Sequence, residues 1–257
     1  MNALTCESRV FGTGPIPALA LHCGQGRGVM WRGVAAALQD RLTLVAPDLP
    51  GHGRSPDFPK GFDVHDVATE AVAQLHQRRQ HLIGHSFGAT LALRLALNAP
   101  DRVESLTLIE PVFFAALPDG LELRRHRARE RQISAALPTD PALSARLFHE
   151  IWGDGTPWEH FSKGVQETLQ KGMPFVVASE PALWADRAGM LAPGLLESVA
   201  APTRLIRGEH TQSVVSGIHA TLLGRLPNAQ ERVIAGAGHM VPLSHPREVA
   251  DIIAEML

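Results

Sequence analysis

The chain has 257 residues, with 24 Lys and Arg against 26 Asp and Glu for a formal net charge of −2, and 45% of its residues are hydrophobic. This fits one large globular domain, or a domain carrying an insertion, and gives no electrostatic case for nucleic acid. Cys6 and Cys23 are too few for a disulfide framework and sit in no metal-ligand cluster. The N-terminal residues lack the basic start and apolar run of a signal peptide, and no stretch reaches the ~18 apolar residues of a membrane helix, so a soluble, cytoplasmic protein is expected.

In chain order, residues 5–11 and 18–22 read as strands around the turn at Gly12, and residues 29–40 as a helix. Residues 42–46 form an apolar strand that ends in a turn-rich loop, Asp48-Leu-Pro-Gly-His-Gly-Arg-Ser55. A helix follows at 64–77, a strand at 81–84, a helix at 86–98 and a strand at 103–109. These strands are apolar throughout rather than alternating, the pattern of a parallel sheet covered on both faces. From 112 to 200 the rhythm becomes helical, punctuated by Pro118, Pro138, Pro141, Pro157, Pro174 and Pro193. Trp152, Trp158 and Trp184 lie there, with Phe113, Phe114, Phe148, Phe161 and Phe175. A helical insertion needs a core of its own, which accounts for most of these aromatics; the sharper reading is a cap whose inner face is an apolar substrate pocket. Arg124, Arg125, Arg127, Arg129 and Arg131 mark a solvated helix face. The α/β rhythm resumes with a strand at 203–207, a helix at 213–225, a strand at 231–234, the loop Ala235-Gly-Ala-Gly-His239 and a helix at 246–256. The expected organisation is therefore a core of residues 1–111 and 201–257, interrupted by a helical cap at 112–200.

Gly84-His-Ser86-Phe-Gly88 lies between a buried strand and a long helix. Gly-x-Ser-x-Gly in that context is a nucleophile elbow: the turn is so sharp that only glycine-sized neighbours fit, and the hydroxyl stands clear of the sheet. A serine hydroxyl needs a base to take its proton. Of the 13 histidines, His239 is favoured, because a glycine-flanked loop after the last parallel strand emerges at the same sheet edge as the elbow. His85 is read as a neighbour pointing away across the turn, and His22 and His52 as organisers of their loops. The backbone N–H of Phe87, following the nucleophile, is one donor for an oxyanion.

His22-Cys23-Gly24, the Asp48–Ser55 loop, Gly84–Gly88, Ile109-Glu110-Pro111 and Gly236-Ala-Gly-His239-Met-Val-Pro-Leu, in this order, resemble the α/β-hydrolase fold superfamily over nearly the whole chain. The resemblance implies a doubly wound, mostly parallel eight-stranded α/β sheet with a helical cap after the sixth strand. It also implies Ser86 as nucleophile, His239 as base and the Gly24 amide as second oxyanion donor. Relatives usually carry an aspartate three residues beyond the glycine that ends the seventh strand; here Gly208 is followed by Glu209-His-Thr211, and no carboxylate stands at 211. Some members supply the acid from the end of the sixth strand, where Glu110 stands. Glu110 is thus the favoured third member, with Glu209 as the alternative acid and Asp48 or a bare dyad behind it; Asp48 has a ready role of its own in holding the Gly51–Gly53 loop. Cys23 reads as packing.

A dinucleotide site is the competing class, since Gly24-Gln-Gly26-Arg-Gly28 follows a strand and Asp48 ends the next. The fingerprint asks for glycine at 29, which is Val29, and leaves the elbow and His239 without a purpose. The favoured function is cleavage of a small to medium ester of an apolar acyl or aromatic small molecule, with no cofactor and no metal. Carbon–carbon hydrolysis of a diketone, acyl transfer or perhydrolysis, and non-catalytic ligand binding on the same fold stand as alternatives. The sequence leaves the oligomeric state open.

Overall fold

The computed structural model describes residues 4–257; the first three residues of the segment read for a signal peptide lie outside it. The strands are β1 (Ser8–Phe11), β2 (Ile16–Leu21), β3 (Leu42–Pro47), β4 (Gln80–His85), β5 (Val103–Ile109), β6 (Thr203–Gly208) and β7 (Ala229–Ile234). They form one sheet in the order β1-β3-β2-β4-β5-β6-β7, parallel except for β1, which runs antiparallel to β3. The helices are α1 (Arg32–Ala37), α2 (Val64–Ala73), α3 (Phe87–Asn98), α4 (Leu121–Ala136), α5 (Pro141–Trp152), α6 (Lys163–Ala185), α7 (Ser213–Arg225), α8 (Val241–Ser244) and α9 (Pro246–Ala254).

Both faces of the sheet are covered, which is why the inner strand β2, Ile-Pro-Ala-Leu-Ala-Leu, is apolar on both sides. Leu19, Leu82, Leu108 and Leu205 pack with residues of α2, α3 and α7. Their chain neighbours Ala18, Ile83, Ile109 and Ile206 point to the other face and pack with α1 and α9. Side chains alternate across a strand, so each strand feeds two cores.

Seven strands stand among the described residues, each at a stretch that reads as strand from its own residues. The eighth, expected from the resemblance alone, is absent among them, and the helices α4, α5 and α6 accordingly follow the fifth strand along the chain, not the sixth. The helix expected at 29–40 is a turn of 3-10 helix at Gly28–Trp31 followed by the short α1, and the one expected at 64–77 ends at Ala73. Pro174 does not break the chain: with Pro181 it lies inside the 23-residue α6. Packing of the helix against its neighbours outweighs the two backbone hydrogen bonds that proline cannot make. No helix among the described residues is long and apolar enough to cross a membrane.

Close packing beneath the elbow yields a stability prediction. A Cβ on Gly88 would overlap the carbonyl groups of Leu21 and His22, whereas one on Gly224, exposed in α7, meets nothing within 4 Å. Gly88→Ala should lower unfolding free energy by about 1–3 kcal/mol, and Gly224→Ala should raise it by about 0.5–1 kcal/mol. Urea denaturation midpoints read both.

Candidate functional site

Because β2 to β7 are parallel, the loops leaving their carboxyl ends gather at one sheet edge. Register brings two of them together: His85 pairs with Ile109 and Ile109 with Ile206, so Ser86 and Glu110 are next-door strand extensions. Ser86 adopts φ 57° and ψ −118°, and Glu110 also has positive φ, 52°. Such backbone strain persists only where the surroundings enforce it. Here the Ser86 N–H donates to Ile109 O at 2.8 Å and the Glu110 N–H to Ile206 O at 2.9 Å. A Cβ at Gly84 would overlap the Gly88 carbonyl, which is the steric reason for the elbow's glycines.

His239 hangs from the loop after β7. Its Nε2 lies 3.0 Å from Ser86 Oγ and its Nδ1 3.0 Å from Glu110 Oε2. A carboxylate only accepts, so Nδ1 carries the proton and Nε2 is left free to accept one from the serine hydroxyl. All three side chains are buried, Glu110 completely. Glu110 Oε1 accepts from the Gly208 N–H at 2.7 Å, and Oε2 accepts from the Thr211 hydroxyl. Thr211, at the position where the resemblance led an acid to be expected, thus serves as a donor to the carboxylate one strand over. Reading for carboxylates missed this role, although the gap at 211 was its signal.

Glu209, the alternative acid, lies apart from His239. Its Oε2 accepts from the Gly236 N–H at 2.9 Å and its side chain is 55% exposed. Asp48 accepts from the N–H groups of Gly28 at 2.8 Å and Arg54 at 3.2 Å, tying two loops. His22 Nε2 accepts from the Leu49 N–H at 2.9 Å and His52 Nε2 from the Gln25 N–H at 3.1 Å. Burial, first of all, pushes both imidazoles below their ordinary pKa and keeps them neutral acceptors. His85 does more than turn away: its Nε2 donates to the His239 carbonyl at 2.9 Å and so anchors the loop that carries the imidazole. Burial pushes the Cys23 thiol up to about 12, so it stays protonated and packs. Phe87 opens α3, and its N–H has no carbonyl four residues back within the helix to bond; Gly24 lines the same space as Ser86 and Phe87.

Two cavities meet at Ser86. A narrow one of about 40 Å³ is walled by Val112, Phe114, Phe175, Leu183 and Trp184 from the helical segment. A wider one of about 240 Å³ is walled by Gln25, Phe161, Leu169, His239 and Leu243. Trp152 and Phe148 line both, and the Trp152 ring packs on His239 with centroids 4.6 Å apart. A larger recess of about 650 Å³ touches His239 but not Ser86. The five α4 arginines are exposed while His126, Glu130 and Ile133 face inward, an inward stripe that sequence reasoning passed over. Among the described residues, no group of three or more His, Cys, Asp or Glu is placed to hold a metal ion.

A statistical model of the alpha/beta hydrolase family matches residues 18–252. The lipase LipV of Mycobacterium tuberculosis is 29% identical over 267 residues, spanning 95% of this chain and 94% of the relative. Pimeloyl-(acyl-carrier protein) methyl ester esterase of Nitrosomonas europaea is 28% identical over 246 residues, spanning 92% of this chain and 93% of that one. Among solved structures, bromoperoxidase from Bacillus anthracis matches with a TM-score of 0.76 at 18% identity, over 97% of this chain and 94% of that chain.

The bonding of Glu110 and the buried histidines generate two predictions. Thr211→Val removes one of three donors to a fully buried carboxylate at nearly constant volume, which should cost about 1–3 kcal/mol in a urea titration. Burial holds His65 at about 4 with help from Arg94, His85 at about 3 with help from His239, and His126 at about 4 with help from Arg129, all down from 6.5. The unfolded chain therefore binds protons below pH 6.5 that the folded one refuses. Stability should fall as pH drops from 6.5 towards 4, by about 1.4 kcal/mol per pH unit for each of the three; unfolding midpoints at pH 7.5, 6 and 5 measure it.

Proposed function

This chain belongs to the α/β hydrolase family, and we propose that it is a serine esterase, cleaving a small to medium carboxylic ester through an acyl-enzyme on Ser86. The observation that carries this reading is the continuous hydrogen-bonded chain from Ser86 Oγ through His239 to Glu110, set beside two cavities that converge on the serine. In this mechanism His239 Nε2 takes the hydroxyl proton as Ser86 Oγ attacks the ester carbonyl. The negative charge that develops on the carbonyl oxygen falls to the N–H groups of Phe87 and Gly24. Collapse expels the alcohol, which receives the proton from His239. Water then repeats the sequence on the acyl-enzyme, giving up its proton to His239 and releasing the acid and free Ser86. Glu110 holds the imidazole in the required tautomer and stabilises it once charged.

Residues 112–200 act as a cap that encloses the acyl and alcohol groups, with residues 1–111 and 201–257 as the core beneath. The cavity containing His239 is the natural place for the alcohol, because the leaving oxygen must be reached by Nε2. The named relatives include a lipase and a methyl ester esterase, which favours ester cleavage over carbon–carbon cleavage on the same machinery.

A fluorophosphonate should label the wild type and leave Ser86→Ala unlabelled. With p-nitrophenyl butyrate, Glu110→Gln should lower turnover by about 10³-fold or more, while Glu209→Gln, tied to the Gly236 amide, should stay within about twofold. Equal turnover by Glu110→Gln and wild type would remove the acid from the mechanism, and product analysis for free acid against transferred acyl separates hydrolysis from acyl transfer.

A further inference from the structure

The narrow cavity beside Ser86 has aromatic walls and an acidic end. The Phe114 and Trp184 rings stack with centroids 4.4 Å apart, and Trp152 lies 6.0 Å from Phe114. Glu130 from α4 and Glu180 from α6 line the same space, and no lysine, arginine or histidine does. Glu130 is only 6% exposed. Among the described residues, the one hydrogen bond to its carboxylate comes from Trp152 Nε1, 2.7 Å from Oε1, and no lysine or arginine lies within ion-pair distance of it. His126 Nε2 is 3.6 Å away but has no hydrogen-bond partner, and burial, with Arg129 nearby, keeps that ring neutral at about 4. Arg127 and Arg131 border a separate recess that shares Glu130 and Glu180, and both are exposed.

A buried carboxylate with a single neutral donor is short of partners. Trp184 already carries the Arg127 guanidinium, 5.2 Å from its ring centroid; the Phe114, Phe148 and Trp152 rings beside the two acids are the chemistry that holds an organic cation. The geometry points to a cationic acyl group: the preferred ester carries an acyl chain ending in an ammonium, its methylenes along the aromatic walls and its N–H groups on Glu130, with Glu180 adding a second negative charge. The acyl side is assigned because this cavity holds Ser86 and Phe87, whereas His239, which must reach the alcohol, lines the other one. This assignment rests on the acyl-enzyme reading above. Burial pushes Glu130 up to about 7, with the Trp152 hydrogen bond opposing and Glu180 adding to the rise; an ammonium beside it favours the ionised form.

The test compares phenyl 3-aminopropanoate with phenyl butanoate, and phenyl 6-aminohexanoate with phenyl heptanoate, at pH 7.5. Each pair exchanges an ammonium for a methyl at constant length. In wild type the amino ester of at least one pair should exceed its partner in kcat/KM by about tenfold or more. Glu130→Gln keeps an acceptor for Trp152 Nε1 and removes only the charge, so the amino-to-alkyl ratio within that enzyme should fall by at least about tenfold. Alkyl esters turned over faster at both lengths by the wild type, or a ratio unchanged in Glu130→Gln, overturns the inference. Calorimetric binding of the same esters to Ser86→Ala, alone and combined with Glu130→Gln, needs no turnover. Tighter binding of an amino ester that disappears with Glu130→Gln upholds the cavity assignment even if every ester resists cleavage, which would instead count against the esterase reading; absence of that preference overturns the assignment.

Discussion

The Glu110 carboxylate is the constraint around which the site is built. It has no exposed surface, and a charge in that position is tolerable only if its oxygens are filled with donors. The three donors come from different places: the Gly208 amide at the end of β6, the Thr211 hydroxyl beyond it, and His239 Nδ1 from the loop after β7. One side chain at the end of β5 therefore pins the ends of the two following strands. The left-handed backbone at Glu110 and at Ser86 costs on the order of 1–3 kcal/mol each, and it is held by hydrogen bonds to neighbouring strands. The strain is the means by which both side chains leave the sheet at the same edge and height.

A second layer of buried imidazoles supports this arrangement. His22 and His52 each accept a backbone N–H from a different loop, and His85 grips the backbone of His239 itself. On the helix side, Arg94 Nη1 meets His65 Nδ1 at 3.0 Å, His65 Nε2 meets Thr90 Oγ1 at 3.1 Å, and Thr90 Oγ1 donates to the Phe87 carbonyl at 2.7 Å. A neutral imidazole is both donor and acceptor, so it can stitch loop backbone where a charged side chain would carry too high a desolvation cost. That explains why so many histidines sit inside a protein in which one is assigned to chemistry.

Much of this was legible in the residues. The elbow announced itself because the glycines, the preceding apolar run and the following helix are consecutive, and local sequence suffices for a local turn. The position of His239 followed from parallel strands sharing an edge. Glu110 was readable only by comparison with an absence at 211, and its hydrogen bond from Thr211 lay beyond any pattern, since nothing in a sequence says which hydroxyl will meet which carboxylate across 101 positions. The eighth strand was borrowed from relatives and not carried by this chain's own pattern. Pro174 looked like punctuation because proline disfavours helix interiors, yet α6 is long enough and packed well enough to run through it. Glu130 was hidden among arginines: charge density marked that helix as solvated, and only its three-and-four spacing with His126 and Ile133 betrayed an inward face.

Trp152 has a consequence for how selectivity can change. The same ring walls the narrow cavity, walls the wide one and packs on His239, while its indole N–H is committed to Glu130. It is a party wall between two rooms. Enlarging one compartment by trimming this ring enlarges the other and loosens the imidazole between them, so preferences for the two halves of a substrate are not independent variables. Substitutions on either side of the partition are energetically coupled through it, and their effects combine non-additively.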